Sequence, residues 1–169
     1  MIDQYGVLFK ESQRFRQWWI WALVLIAPAI VVWGMVQQLV LGVPWGNNPA
    51  PDWVLVLLAC VIGLGLPAFM FWVGLDTVVR YEGVYVRYFP FHLKWVIIPV
   101  DSIESARAIE YHPIRDYGGW GIRYGAGGKA YSVSGNRGVM LEFKDGKRLL
   151  IGSQKAEELG RAISSVLRR

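Results

Sequence analysis

The sequence predicts an α+β membrane protein: two transmembrane helices followed by a small barrel of about seven antiparallel strands capped by a C-terminal helix. Three observations lead there. Two long apolar runs carry no charged side chain, the residues after them change to short β-branched and aromatic runs separated by turn residues, and the closing stretch has helical spacing. Composition agrees with a chain partly in lipid. With 169 residues, 54% of them hydrophobic, and nine tryptophans, it is too apolar for one soluble domain. The formal charge of +5 fits basic residues that orient apolar spans, so nucleic acid is not expected as a partner. Cys60, the single cysteine, can build neither a disulfide framework nor a cysteine-based metal site.

The first span is Trp18 to Leu41, "WWIWALVLIAPAIVVWGMVQQLVL". At about 1.5 Å per residue it crosses a hydrocarbon core of about 30 Å. A secretory signal would have a shorter apolar core and a cleavage site after it, whereas here "VPWGNNPAPDW" leads into a second uncharged run, Trp53 to Leu75. The two runs form a helix hairpin. Its loop carries Asp52 and no Lys or Arg, while Lys10, Arg14 and Arg16 precede the first span and Arg80, Arg87 and Lys94 follow the second. Both termini are therefore expected in the cytoplasm, in a multi-pass protein of the inner or plasma membrane. Trp18, Trp19, Trp21 and Trp72 at the inner boundary, with Trp45 and Trp53 at the outer one, form the interfacial belts such a placement wants.

Residues 1–75 thus read as one region, in which the segment "YGVLFKESQRFRQ" lies along the inner interface ahead of the hairpin. Gln37 and Gln38 are the only strongly polar side chains in the spans, so anchoring is expected rather than transport. Pro28 and Pro67 are expected to kink their helices. Ala59 and Gly63 make a small-xxx-small face for close helix contact, either within the hairpin or with another subunit. Arg14, Arg16, Arg80, Arg87 and Lys94 are the candidate lipid-facing cations.

Residues 76–169 form the expected cytoplasmic domain. "TVVRYEGVYVRYFPFH" reads as a hairpin from Thr77 to about Phe89 turning at Glu82-Gly83, "LKWVIIPV" as a third strand and "SIESARAIEYH" as a fourth. Pro99, without a backbone donor, marks an edge or a break. In "GVMLEFKDGKRLLIG" a three-residue loop Lys144-Asp145-Gly146, with Gly146 left-handed, sets Leu141 opposite Leu149, Val139 opposite Ile151, Phe143 opposite Lys147 and Glu142 opposite Arg148. A one-residue slip would scatter both faces. A helix from about Gln154 to Leu167 follows, capped by Ser153, with Glu157 and Glu158 in its first turn, Arg168 and Arg169 at its end, and Ala156, Leu159, Ile163, Val166 and Leu167 on its apolar stripe.

The stretch "GGWGIRYGAGGKAYSVSGNRG" joins glycine to positive charge, as phosphate loops do. A Walker loop needs glycine, four residues, then Gly-Lys-Ser/Thr; here Ala130 follows Gly128-Lys129 and Arg123 stands where the earlier glycine belongs. It opens no helix either, so a dinucleotide fingerprint also fails. The glycines read as reversals between strands, with Trp120, Ile122 and Tyr124 alternating on one face. The loop "RDYGGW" offers Arg115, Tyr117 and Trp120 as candidate partner contacts, since arginine and large aromatics dominate binding hot spots.

"IIPVDSIESARAIE", "GGWGIR" and "GKAYSVSGNRGVMLEFKDGKRLLIGSQKAEELGRAI" resemble the bacterial and archaeal pleckstrin-homology-like (PH-like) domain proteins, which commonly carry one or two membrane spans ahead of the domain. The resemblance covers roughly Asp76 to the end. It implies a PH-like barrel plugged by its terminal helix, and it brings no catalytic residues. Eukaryotic phosphoinositide-binding members use a lysine, a spacer and a basic-x-arginine set across the first hairpin. Arg80 and Arg87 do not make that set, which leaves a diffuse attraction to anionic lipid of about 1 kcal/mol per basic residue.

His92 and His112 lack partners at metal-ligand spacing, and Asp101, Asp116 and Glu110 form no acid–base pair. No enzyme, cofactor or small-molecule substrate is expected. Two functions remain: a membrane-anchored binding or scaffold module that recruits a protein partner or a membrane surface, as a monomer or homo-oligomer, and an accessory subunit of a larger membrane complex.

Overall fold

The computed structural model describes residues 6–168, and Arg169, expected to finish the terminal helix, lies outside them. The chain divides into two compact units: one of residues 15–72, the other formed by the residues before Phe15 together with those from Val73 onward.

In the helical unit, α1 (Trp18–Met35) continues as a π-helical turn, Val36–Val40. The second rod is α2 (Asp52–Leu58), a π-helical stretch Ala59–Gly65, and α3 (Leu66–Trp72). The widening just before Pro67 has a local cause, because proline offers no N–H to the carbonyl four residues back. Trp18–Val40 and Asp52–Trp72, of 23 and 21 residues, are both long and apolar enough to cross a membrane, and 17% and 6% of their most apolar stretches are buried. Neither is therefore a core helix of this chain. Gln38 ties the hairpin loop together: its Nε2 donates to Ala50 O at 2.8 Å and to Asp52 Oδ1 at 2.7 Å. Trp45 folds onto Gly34, where any Cβ would meet the indole ring.

The second unit holds two sheets. The first is antiparallel in the order β1-β2-β3-β4, from β1 (Val7–Arg14), β2 (Gly74–Arg80), β3 (Gly83–Phe89) and β4 (Val96–Pro99). The second has the order β5-β8-β9-β7-β6, from β5 (Ile103–Glu110), β6 (Gly121–Gly125), β7 (Gly128–Ser132), β8 (Arg137–Phe143) and β9 (Arg148–Gly152). A one-turn helix α4 (Pro113–Tyr117) lies between β5 and β6, and α5 (Ala156–Leu167) closes the chain against β5, β8, β1 and β2.

Four expectations are corrected. Most of the segment expected at the membrane interface, Val7–Arg14, is a strand: Phe9, Glu11 and Gln13 alternate with Lys10 and Ser12, and β1 pairs with β2 from Val7↔Arg80 to Arg14↔Gly74. The second span ends at Trp72, since Gly74 already belongs to β2 and Leu75 is fully buried in the core. Among the described residues nine strands stand where about seven were expected, and β7 and β9 run parallel because β9 folds back between β8 and β7. The sheets do not close into a barrel among the described residues. β4 stops at Pro99, and a 3₁₀ turn, Val100–Ser102, carries the chain to the other sheet.

The β8–β9 hairpin has the expected register, Val139↔Ile151, Leu141↔Leu149 and Glu142↔Arg148. Gly146 N–H donates to Phe143 O at 2.8 Å, and Gly146 has φ +80° with open space around its Cβ position. Gly146→Val should therefore act through the backbone alone, lowering stability in thermal melts by about 1 to 2 kcal/mol. An unchanged melt would refute a left-handed Gly146.

Both faces of the second sheet are covered. Val139, Leu141 and Ile151 are buried on one, with Leu159 and Ile163 of α5 in the same core. On the other, Leu150 and Ala130 form a second cluster with Tyr111 and Tyr117.

Candidate functional site

The turn expected to meet a partner is fixed by local hydrogen bonds. Pro113 sits at the first helical position of α4, Gly118 takes φ +70° after its last, and Gly118 and Gly119 N–H donate to Ile114 and Pro113 carbonyls. His112 N–H donates to Asp116 Oδ2 at 2.8 Å, which, with the Arg115 hydrogen bond, holds the Asp116 carboxyl below its ordinary range.

The three candidate contact residues separate. Tyr117 is a core side chain, 7% exposed, edge-on to Tyr111 at 6.0 Å, so it presents no surface. Trp120 is half-buried, and its Nε1 donates to Gly135 O at 2.8 Å, stapling this loop to the next turn. Arg115 alone stands out, paired with Asp116 at 3.0 Å. Beside it Ile114 is 71% exposed, a residue the sequence pattern gave no reason to choose.

The candidate cations also divide. Ser12, Asp76 and Arg87 lie opposite one another across β1, β2 and β3. Asp76 accepts from Ser12 Oγ at 2.6 Å and pairs with Arg14 and Arg87, each at 2.9 Å. Arg14 and Arg87 therefore hold the sheet together, and Arg87 also lies over the Trp95 ring at 4.7 Å. Arg80 lies 4.0 Å from Glu82. Arg16 and Lys94 are exposed.

Sequence reasoning missed two polar clusters. Lys129 Nζ lies 4.7 Å from the Tyr131 ring centroid and 5.5 Å from that of Tyr124, and His92 meets Tyr131 edge-on at 5.4 Å. Partial burial, with Lys129 nearby, lowers the His92 pKa, so this cation–aromatic group favours a neutral imidazole. The second cluster binds β1 to the entry of α5. Glu11 accepts from Ser153 Oγ at 2.5 Å and from Gln154 N–H at 2.9 Å, and Gln13 Nε2 donates to Gly152 O at 2.8 Å. Ser153 Oγ in turn accepts from Lys155 N–H at 3.0 Å, so α5 starts at Ala156, two residues later than expected. The signal was present as polar residues alternating along β1, but only the pairing of β1 shows where they point.

In the helical unit Ala59 and Gly63 are half-buried on the π-helical stretch, and the Cβ position of Gly63 faces open space. No group of three His, Cys, Asp or Glu side chains that could hold a metal ion occurs among the described residues.

One sequence-family profile covers residues 2–168, from ahead of β1 through both apolar helices to the end of α5. The chain belongs to the family of unknown function DUF6141. No curated protein matches it. DUF6141 thus takes in β1 together with the sheets it completes, so the strand ahead of the helices is part of the family's unit rather than a leader to it.

Proposed function

We propose that this DUF6141 protein is a membrane-anchored, non-enzymatic PH-like module facing the cytoplasm, which recruits a protein partner to the membrane surface. The pairing of β1 with β2 carries the reading. The chain leaves β1 at Arg14, runs through two apolar helices, and returns at Gly74 to pair with the strand it left. Two crossings are the even number that brings a chain back to its starting side, so both helix ends next to the folded unit share one face of the bilayer. The excess of Lys and Arg at those ends supports a cytoplasmic face. A four-stranded sheet, a five-stranded sheet and a terminal helix, in that order, support the PH-like assignment.

The surface offered to a protein is the rigid turn bearing Ile114 and Arg115. Purification from native membranes in mild detergent, followed by mass spectrometry, should recover a partner substoichiometrically with the wild-type chain and lose it with Ile114→Asp. Recovery unchanged by Ile114→Asp would overturn this surface. A partner recovered at fixed stoichiometry would favour the second reading, an accessory subunit of a larger complex, which the open space beside Gly63 supports as a seat for a neighbouring helix. Protease added to right-side-out vesicles should spare the folded unit, and digestion would reverse the topology.

A further inference from the structure

We infer that the β3–β4 loop, residues 90–95, is a second membrane-contact site, in which Phe91 and Leu93 enter the interfacial layer and Lys94 meets anionic headgroups. This rests on the reading that the two apolar helices cross a bilayer. Arg14, Gly74 and Phe89 are opposite one another at one end of the first sheet. From that end the chain reaches α1 within residues 15–17 and comes back from Trp72 through Val73 alone. The loop after Phe89 therefore leaves the sheet at the same end at which the chain departs for the spans and returns from them.

The loop has the side chains for that position. Leu93 is 77% and Phe91 62% exposed, with Lys94 exposed beside them. It is also held in place. His92 N–H donates to Tyr88 O at 2.8 Å, the His92 ring rests edge-on against Tyr131, and Trp95 lies under Arg87. Apolar side chains fixed outward on a built loop are costly in water and favourable at an interface, where rings and aliphatic chains sit beside basic groups. Charge has the same polarity. Arg14, Arg87 and Lys94 lie at this end, where Asp76 is bound by Arg14 and Arg87. The other end, joined by Val100 N–H to Glu82 O and Lys144 N–H to Ser102 O, sets Arg80, Lys144 and Lys147 against Glu82, Asp101 and Asp145, so it holds no such excess of positive charge.

The test uses the full chain with Cys60→Ser, carrying an environment-sensitive fluorophore through Leu93→Cys, Phe91→Cys or, at the far end, Lys144→Cys. Each is reconstituted into phosphatidylcholine–phosphatidylglycerol vesicles with iodide equilibrated across the membrane. Labels at 91 and 93 should be quenched by lipids brominated near the headgroup, reporting a depth of about 5 to 10 Å, and shielded from iodide. The label at 144 should respond to iodide alone. If the labels at 91 and 93 are as open to iodide as that at 144, in protein that resists alkaline extraction, the loop contact is overturned while the anchor stands. Release of the protein by alkali would overturn both.

Discussion

Asp76→Ala should lower the stability of the folded unit by about 2 to 3 kcal/mol, a fall in melting temperature of about 10 °C or more. The carboxylate is almost enclosed, its side chain 10% exposed, while Arg14 and Arg87 keep 32% and 33% exposure. Removing it strands two guanidinium groups against each other and frees the Ser12 hydroxyl. Because both arginines still reach water, the loss falls below that of a fully enclosed pair. Asp76→Asn, which keeps an acceptor but no charge, should lie between.

The same residue sets an acid limb. Burial alone would raise the Asp76 pKa, but the hydrogen bonds from Ser12, Arg87 and Arg14 outweigh it and hold the carboxyl below its ordinary 3.8. A carboxyl whose folded pKa is depressed contributes stability that is complete above the unfolded value and is lost as pH falls through the folded one. Stability should therefore drop below about pH 4, and that part of the drop should vanish in Asp76→Asn. An acid limb unchanged by Asp76→Asn would remove the carboxylate from the account.

A chain beginning at Phe15 should fail to fold its sheets, although it keeps both apolar helices and every strand from β2 onward. It would lose Phe9 and Gln13 from the core, leave β2 as an open edge, take Ser12 and Arg14 from Asp76, and deprive Ser153 and Gln154 of the Glu11 carboxylate. Circular dichroism and limited proteolysis of the detergent-solubilised chain would measure this. A cooperative melt like that of the full chain would show β1 to be dispensable. Glu11→Ala grades the same effect, at about 1 to 3 kcal/mol, because it leaves a largely buried hydroxyl and a backbone donor without their acceptor.

Local chemistry was legible in the sequence, and pairing between distant segments was not. The β8–β9 register could be read because four opposed pairs and a left-handed glycine all agree within fifteen residues. Residues 7–14 could not be read as a strand, since their partner lies beyond both apolar runs and their mixed basic and apolar side chains equally suit a membrane interface. Tyr117 had the composition of a contact residue, and only the second cluster around Leu150 shows that it is core. Arg14 and Arg87 counted as free cations until the register of three strands placed them on one carboxylate. Leu93 drew no attention because "LKWVIIPV" reads as one strand from Leu93 onward, whereas β4 begins only at Val96.

The interruption between Arg14 and Gly74 also bears on the order of events during synthesis. In water, closing a chain across residues 15–73 costs about 2 kcal/mol more than an ordinary hairpin turn. Two inserted helices of matched length would return the chain to its starting side and remove most of that search. On the proposed topology β1 emerges first but has no partner until the second helix is in place. Its Glu11 then waits longer still, for Ser153 near the end of the chain. Such a protein would finish its first sheet only after insertion has succeeded, so failed insertion would leave an unpaired strand and an incomplete fold for proteases to remove.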